Sequence, residues 1–327
     1  MKNIYFNHDG NTDDLVSLLL LLQAPDINLI GVSAIDGDGD VVASCEVSRK
    51  IIDRFNTFNH KLEVAMSNSR AHHQFPEEWR QSTFTFNSFP ILNEHGKINT
   101  PAAKNPAHID MAKKIMAQDE RTTVIMTGPI TDLARALDYE PKLANKIDKL
   151  YWMGGSLDGH GNVFVPYYDT TQEWNAFWDP EAVERVWNSD IDIQMVGLES
   201  TEEIPLNDEL KQHFASLRRY PAMDLIGLGY SLIISSQPGN QYYLWDVLTT
   251  LSALYPDLVE TRKAKSYVLT EGAAAGRLVE SEKGRPMTLV TKADKDAFFK
   301  KFDELALSAN FKSVSYTHLT LTTILLV

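Results

Sequence analysis

What most limits the fold of this chain is a recurring alternation, in which short apolar runs of strand length are followed by longer segments whose apolar residues recur at helical spacing. Residues 4–6, 28–34, 62–66, 122–126, 149–153 and 191–197 read as strands; residues 13–23, 41–55, 107–118, 130–137 and 179–187 read as helices. Crossovers of about a dozen residues favour parallel pairing. The pattern therefore predicts an α/β fold with an open, mostly parallel central sheet flanked by helices, similar to a Rossmann arrangement. No internal repeat and no Pro/Gly/Ser-rich linker divides the chain, and 327 residues suffice to bury one large core. A single domain over residues 1–312 is expected. Residues 313–327 stand apart, since from Ser315 to Val327 there are four threonines but no acidic residue and no glycine. They read either as an added, disordered tail or as a C-terminal strand in which Thr and Leu alternate.

Composition narrows the partners. Lys and Arg number 31 against 44 Asp and Glu, a net charge of −13, which argues against a nucleic-acid partner because phosphate binding draws on clustered cations. A small neutral substrate or a metal cation suits this balance better. The longest apolar run, residues 18–22, is far too short to span a bilayer, and the N-terminus lacks the apolar core of a secretory signal. With Cys45 the single cysteine, no internal disulfide and no thiolate metal site can form. A cytoplasmic protein is expected.

In an open parallel sheet, ligands bind beyond the carboxyl ends of the strands, so the residues after each predicted strand are the ones to inspect. They are rich in carboxylates: Asn7-His8-Asp9-Gly10-Asn11-Thr12-Asp13-Asp14 after the first, Asp36-Gly37-Asp38 after the second, Thr127-Gly128-Pro129 after the fourth, Met153-Gly154-Gly155 after the fifth and Glu199 after the sixth. Asp13 and Asp14 fall where a helix should begin, with Asn11 or Thr12 as its cap, and the helix dipole favours acids there. That placement does not explain Asp9, which sits on a glycine-containing turn with two more carboxylates close behind. Three like charges so close repel unless a proton is retained or a cation intervenes. An all-oxygen set suits a hard cation, Ca²⁺ or Mg²⁺, where zinc would recruit His or Cys.

The run Asp9-Gly10-Asn11-Thr12-Asp13-Asp14 after the first strand resembles the aspartate fingerprint of the nucleoside hydrolases, in the form found in their purine-specific branch. Further matches follow in order: Asp38, Trp79 in Phe75-Pro76-Glu77-Glu78-Trp79, Thr127, Gly161-Asn162-Val163-Phe164, Glu173-Trp174-Asn175, Asp179-Pro180-Glu181 and Trp245-Asp246. The resemblance implies that Asp9, Asp14, Asp246 and the Thr127 carbonyl hold one Ca²⁺, which would also take the ribose 2′ and 3′ hydroxyls. It implies further that Asp9 is the general base that activates a calcium-bound water. Asp13 would meet the 2′ hydroxyl, while Asn162, Glu173 and Asn175 would hold the 3′ and 5′ hydroxyls, with Asn11 and Met153 beside the sugar. Trp79 and Trp245 would enclose the purine, with Asp38 at its edge. The implied reaction is hydrolysis of purine ribonucleosides to ribose and free base by a homodimer or homotetramer active in purine salvage.

The chain also departs from that pattern. Asn7 stands where an aspartate is usual, Trp245 replaces the histidine of the nonspecific branch, and the segment from Ser235 to Gln241, expected to be a mobile loop over the site, lacks an arginine before it. Three other readings stay open: a pyrimidine-preferring or nonspecific ribohydrolase, a phosphatase with an acidic first-strand motif, and a nucleoside-binding protein without catalysis.

Overall fold

The predicted first strand lies inside β1 (Lys2–His8), whose side chains alternate between two hydrophobic cores: Ile4 and Phe6 enter one, Tyr5 the other. That alternation is what a strand covered on both faces requires. The computed structural model describes residues 1–94, 96–233 and 241–312. In chain order the remaining strands are β2 (Ile27–Ala34), β3 (Val64–Met66), β4 (Thr122–Met126), β5 (Ile147–Met153), β6 (Ile193–Val196), β7 (Val259–Val268), β8 (Leu278–Glu280) and β9 (Arg285–Ala293). They form one nine-stranded sheet in the order β3-β2-β1-β4-β5-β6-β9-β7-β8. From β3 to β9 all neighbours are parallel; β7 pairs antiparallel with β9, and β8 antiparallel with β7.

Helices cover both faces. Thr12–Leu21, Val41–Phe55, Pro221–Ser231, Trp245–Leu254 and Lys295–Leu307 pack one core. Ala107–Met116, Thr131–Tyr139 and Pro180–Trp187 pack the other. Their starting points follow from the sequence. Asn11 caps Thr12–Leu21 through a reciprocal capping box with Asp14, and Asp40, Glu173 and Asp179 cap the helices that follow them. The fold is thus the expected single α/β domain with a mostly parallel sheet, and the six strands anticipated as far as residue 197 all form. The antiparallel β7–β9 edge and the helices Asp208–Ser216, Pro221–Ser231, Trp245–Leu254 and Lys295–Leu307 were not anticipated. β7 reads Val-Glu-Thr-Arg-Lys-Ala-Lys-Ser-Tyr-Val and buries only alternate residues of its second half, so it offers no continuous apolar run. No described helix is long and apolar enough to cross a membrane. Residues 313–327, and 235–240 of the expected loop, lie outside the described residues.

Candidate active site

At the carboxyl edge of the sheet, β1 runs straight into Asp9 and Gly10. Gly10 has φ +87°, a conformation costly for residues with a Cβ, and a Cβ there would lie 1.7 Å from Ser44 Oγ. The turn therefore needs glycine. It returns the chain to Asn11, where the helix Thr12–Leu21 starts with Asp13 and Asp14 in its first turn, both fully buried. One short segment thus delivers three carboxylates to one end of the sheet, and the loop after β2 adds Asp38.

Asp9 is buried at 3% exposure; its Oδ2 accepts the Asp38 amide at 3.0 Å and its backbone carbonyl accepts the Gly39 amide at 2.9 Å. Gly37 permits the approach, since a Cβ there would lie 2.3 Å from Asp9 Oδ2. Asp14 accepts the Asn11 amide at 3.0 Å and the Thr127 hydroxyl at 2.5 Å, and its charge bears on Asp9. Asp14 is therefore both the capping-box acid and a member of the acidic cluster. Half-buried Asp38 is held by the Asn11 side-chain amide.

Asp246 begins the helix Trp245–Leu254, far along the chain, and Asp13 brings it in. Asp13 Oδ2 accepts the Asp246 amide at 2.6 Å and the Val247 amide at 3.4 Å, while Oδ1 accepts the Tyr230 hydroxyl at 2.5 Å. Asp13 is thus the strut of the Asp246 helix. Tyr230 escaped the sequence reading because nothing in an apolar helical stretch signals a contact 217 residues away.

On the far side, Met153 closes β5, and its carbonyl accepts Asn175 Nδ2 at 3.1 Å; the same amide lies 3.4 Å from the Thr127 carbonyl. Glu173 caps its short helix, accepting the amides of Gly155, Asn175 and Ala176 at 2.8, 2.9 and 3.1 Å. Asn162 Oδ1 accepts the Trp174 amide at 3.0 Å, which joins the Gly161-Asn162 loop to that helix. These sites therefore come together on β5 and the loops after it. Trp79, 42% exposed, packs against Phe75 and Trp174 at 6.3 and 5.5 Å between ring centres. Trp245 packs edge-on to Tyr242 and Tyr243 at 4.5 and 5.7 Å. Among the described residues no ring contact joins the two clusters.

Electrostatics single out the same residues. Burial, then Asp14 and Asp38, holds the Asp9 carboxyl well above the usual carboxylate range; burial, then Asp14 and Asp13, does the same to Asp246. Burial raises Asp14 and pushes Asp13, Asp38 and Glu173 up to about 7. Mutually destabilised buried carboxylates are the setting in which a cation is most favoured. Asp38 Oδ1 and Asn175 Oδ1 are also buried without a protein partner. An all-oxygen donor set of this kind fits a hard divalent ion. Single oxygens of Asp9, Asp14 and Asp246 do not all fall within 4.8 Å of one another, whereas a ring nitrogen of His72 and one carboxylate oxygen each of Asp179 and Glu181 do. Opposite ligands of one calcium ion stand about 5 Å apart, so a shared ion requires these oxygens to come within that span of one another. In the outer group, Asp179 is committed to capping its helix and to the Thr131 hydroxyl, and His72 and Glu181 are largely solvated. The neighbouring His73 stacks on Phe177 and bonds its carbonyl, and His8 stacks on Phe6 and meets Ser48 Oγ at 3.0 Å.

Together these features define an α/β enzyme with a buried acidic site at the carboxyl edge of its sheet. The model of the inosine-uridine preferring nucleoside hydrolase family matches residues 4–300, and the chain belongs to that family. A nucleoside hydrolase of the same description from Bacillus anthracis superposes with a TM-score of 0.90 at 45% identity, covering 94% of this chain and 100% of that one. A protein named probable uridine nucleosidase 2, from Arabidopsis thaliana, is 25% identical over 289 residues, 84% of each chain. The fold is shared with a purine-preferring ribonucleoside hydrolase from Gardnerella vaginalis, TM-score 0.74 at 22% identity over 94% of this chain and 98% of that one. Nucleoside hydrolysis is thus the activity class, and relatives with both kinds of base preference are found.

Proposed function

We propose that this protein hydrolyses the N-glycosidic bond of purine ribonucleosides, with Asp9 as general base and Ca²⁺ held by Asp9, Asp14, Asp246 and the Thr127 carbonyl. The observation that carries the reading is the convergence of Asp246, from far along the chain, on Asp9 and Asp14 in one buried cluster whose carboxyls are all raised. Calcium, when bound, would neutralise these carboxylates, bind the ribose diol and make a water molecule more acidic and better placed.

The chain's own groups do the rest. Asp9 stands at the end of β1 with its Oδ2 on the Asp38 amide, the position from which a base would take the water's proton. Water forms its bond to C1′, its proton passes to Asp9, and the C1′–N bond breaks with its electron pair leaving on the base. Positive charge grows on the ribose meanwhile, and the surrounding carboxylates and amide oxygens stabilise it. Asp13 would meet the 2′ hydroxyl, and Asn162, Glu173 and Asn175 the 3′ and 5′ hydroxyls, with Asn11 and Met153 flanking the sugar. The purine would stack on Trp79 and Trp245, with Asp38 at its edge; Trp79 is exposed enough for a ring to reach it. Likeness to a uridine nucleosidase supports a second reading, in which pyrimidines are preferred.

Hydrolysis of inosine, guanosine, adenosine and uridine, with and without chelator, tests the assignment. Purines should react faster than uridine, chelator should stop turnover, and Asp9→Ala should cost about a hundredfold or more. Faster cleavage of uridine would establish the second reading, and an Asp9→Ala loss under about tenfold would refute the base.

A further inference from the structure

Beneath the acidic cluster lies a carboxylate to which the reaction gives no role. Asp132, in the first turn of the helix Thr131–Tyr139, is fully buried. It accepts the Ser67 and Ser69 hydroxyls at 2.7 and 2.9 Å, and Asn7 Nδ2 at 3.3 Å. Arg135 reaches it only indirectly, through Ser69 Oγ at 2.7 Å. Asn7 is buried too; its amide also donates to Ser33 at 2.8 Å, and its Oδ1 is left without a partner. Asn7 lies on β1 two residues before Asp9, and its backbone carbonyl accepts the amide of Thr127 at 3.1 Å. The Asn7 side chain thus anchors the strand that delivers Asp9, the Asn7 backbone carbonyl ties that strand to the amide of Thr127, the residue whose carbonyl is a proposed ligand, and Asp132 holds the side chain.

We propose that Asp132 is a positioning residue for the calcium site, acting through Asn7, and that positions 7 and 132 together carry one buried negative charge. An amide facing a carboxylate makes one hydrogen bond with one charge, whichever position holds which group. Two carboxylates there would repel in a buried setting, and two amides would leave the serine hydroxyls and the pocket without their anion. This explains how β1 tolerates asparagine where an acid was expected, because the acid is supplied from the neighbouring helix. The inference rests on the calcium reading above.

The test compares the wild-type protein with Asp132→Asn, Asn7→Asp and the double exchange. Calcium dissociation constants come from calorimetry, and melting temperatures are taken in excess chelator. Asp132→Asn should weaken calcium about 10–100-fold, as loss of groups that orient metal ligands usually does. Asn7→Asp should lower the melting temperature by about 5 °C or more. The double exchange should return calcium affinity to within about threefold of wild type and recover most of the lost melting temperature. Unchanged calcium affinity in Asp132→Asn overturns the proposal, as does a double exchange that behaves as the sum of its parts. A wild-type protein that binds no calcium would instead overturn the metal assignment, and the melting temperatures in chelator would then decide the pairing by themselves.

Discussion

Replacing Glu173 with glutamine should flatten the pH dependence of stability by an amount the site already fixes. Glu173 is 2% exposed, and burial pushes its carboxyl from 4.5 up to about 7 despite three backbone N–H donors. Desolvation therefore outweighs hydrogen bonding here. Because the folded value is raised, the stability linked to this group is fully present below pH 4.5 and is lost as pH rises through about 7. A shift of that size corresponds to about 3 kcal/mol, of which about 2–3 kcal/mol falls between pH 5 and 8. Glutamine cannot ionise, so it loses this slope. It also sets an N–H₂ among N–H donors, which changes stability by an amount nearly independent of pH. Urea unfolding of both proteins at fixed calcium, stepped from pH 5 to 8, isolates the slope from that offset. Wild type should lose about 2–3 kcal/mol more than Glu173→Gln across the interval. Parallel curves would refute the reasoning and mean that the three amides, not burial, control this carboxyl.

Removing divalent cations should abolish turnover and lower the melting temperature, and calcium at about 100 times its dissociation constant should restore about 2.7 kcal/mol, seen by differential scanning calorimetry. Tyr230→Phe strips a hydroxyl from buried Asp13 and should cost about 1.5–3 kcal/mol of stability in urea titrations, with a fall in kcat/KM as the Asp246 helix loosens. Trp79→Ala should reduce kcat/KM for inosine by about 5–150-fold, the equivalent of about 1–3 kcal/mol of base stacking, and reduce it less for uridine; equal losses on both substrates would remove Trp79 from base recognition.

Much of the site was legible because its chemistry is local. Asp9, Asn11, Asp13 and Asp14 lie in one turn and one helix start, so their types and spacing alone place three acids at the end of β1. Asp38, Thr127 and Met153 were legible for a related reason, since each ends or follows a run that marks its own strand. Sequence could not show what these groups do to one another. Asp13 is expected from the resemblance to be a sugar contact, and the structure adds that it is the strut that fixes Asp246. Tyr230 and Asp132 went unnoticed because each acts through side-chain contacts across a long chain separation, and such contacts leave no periodicity.

The amino-acid order therefore determined the layered α/β architecture, the parallel run of strands as far as β6 and the acidic turn after β1. Those features come from burial periodicity and capping, which act within a few residues. The antiparallel β7–β9 edge, the arrival of Asp246 beside Asp9 and the burial that raises their carboxyls were decided by tertiary structure alone. Desolvation and charge repulsion depend on the distance between groups in space, and neighbours in space here are often more than a hundred residues apart in the chain.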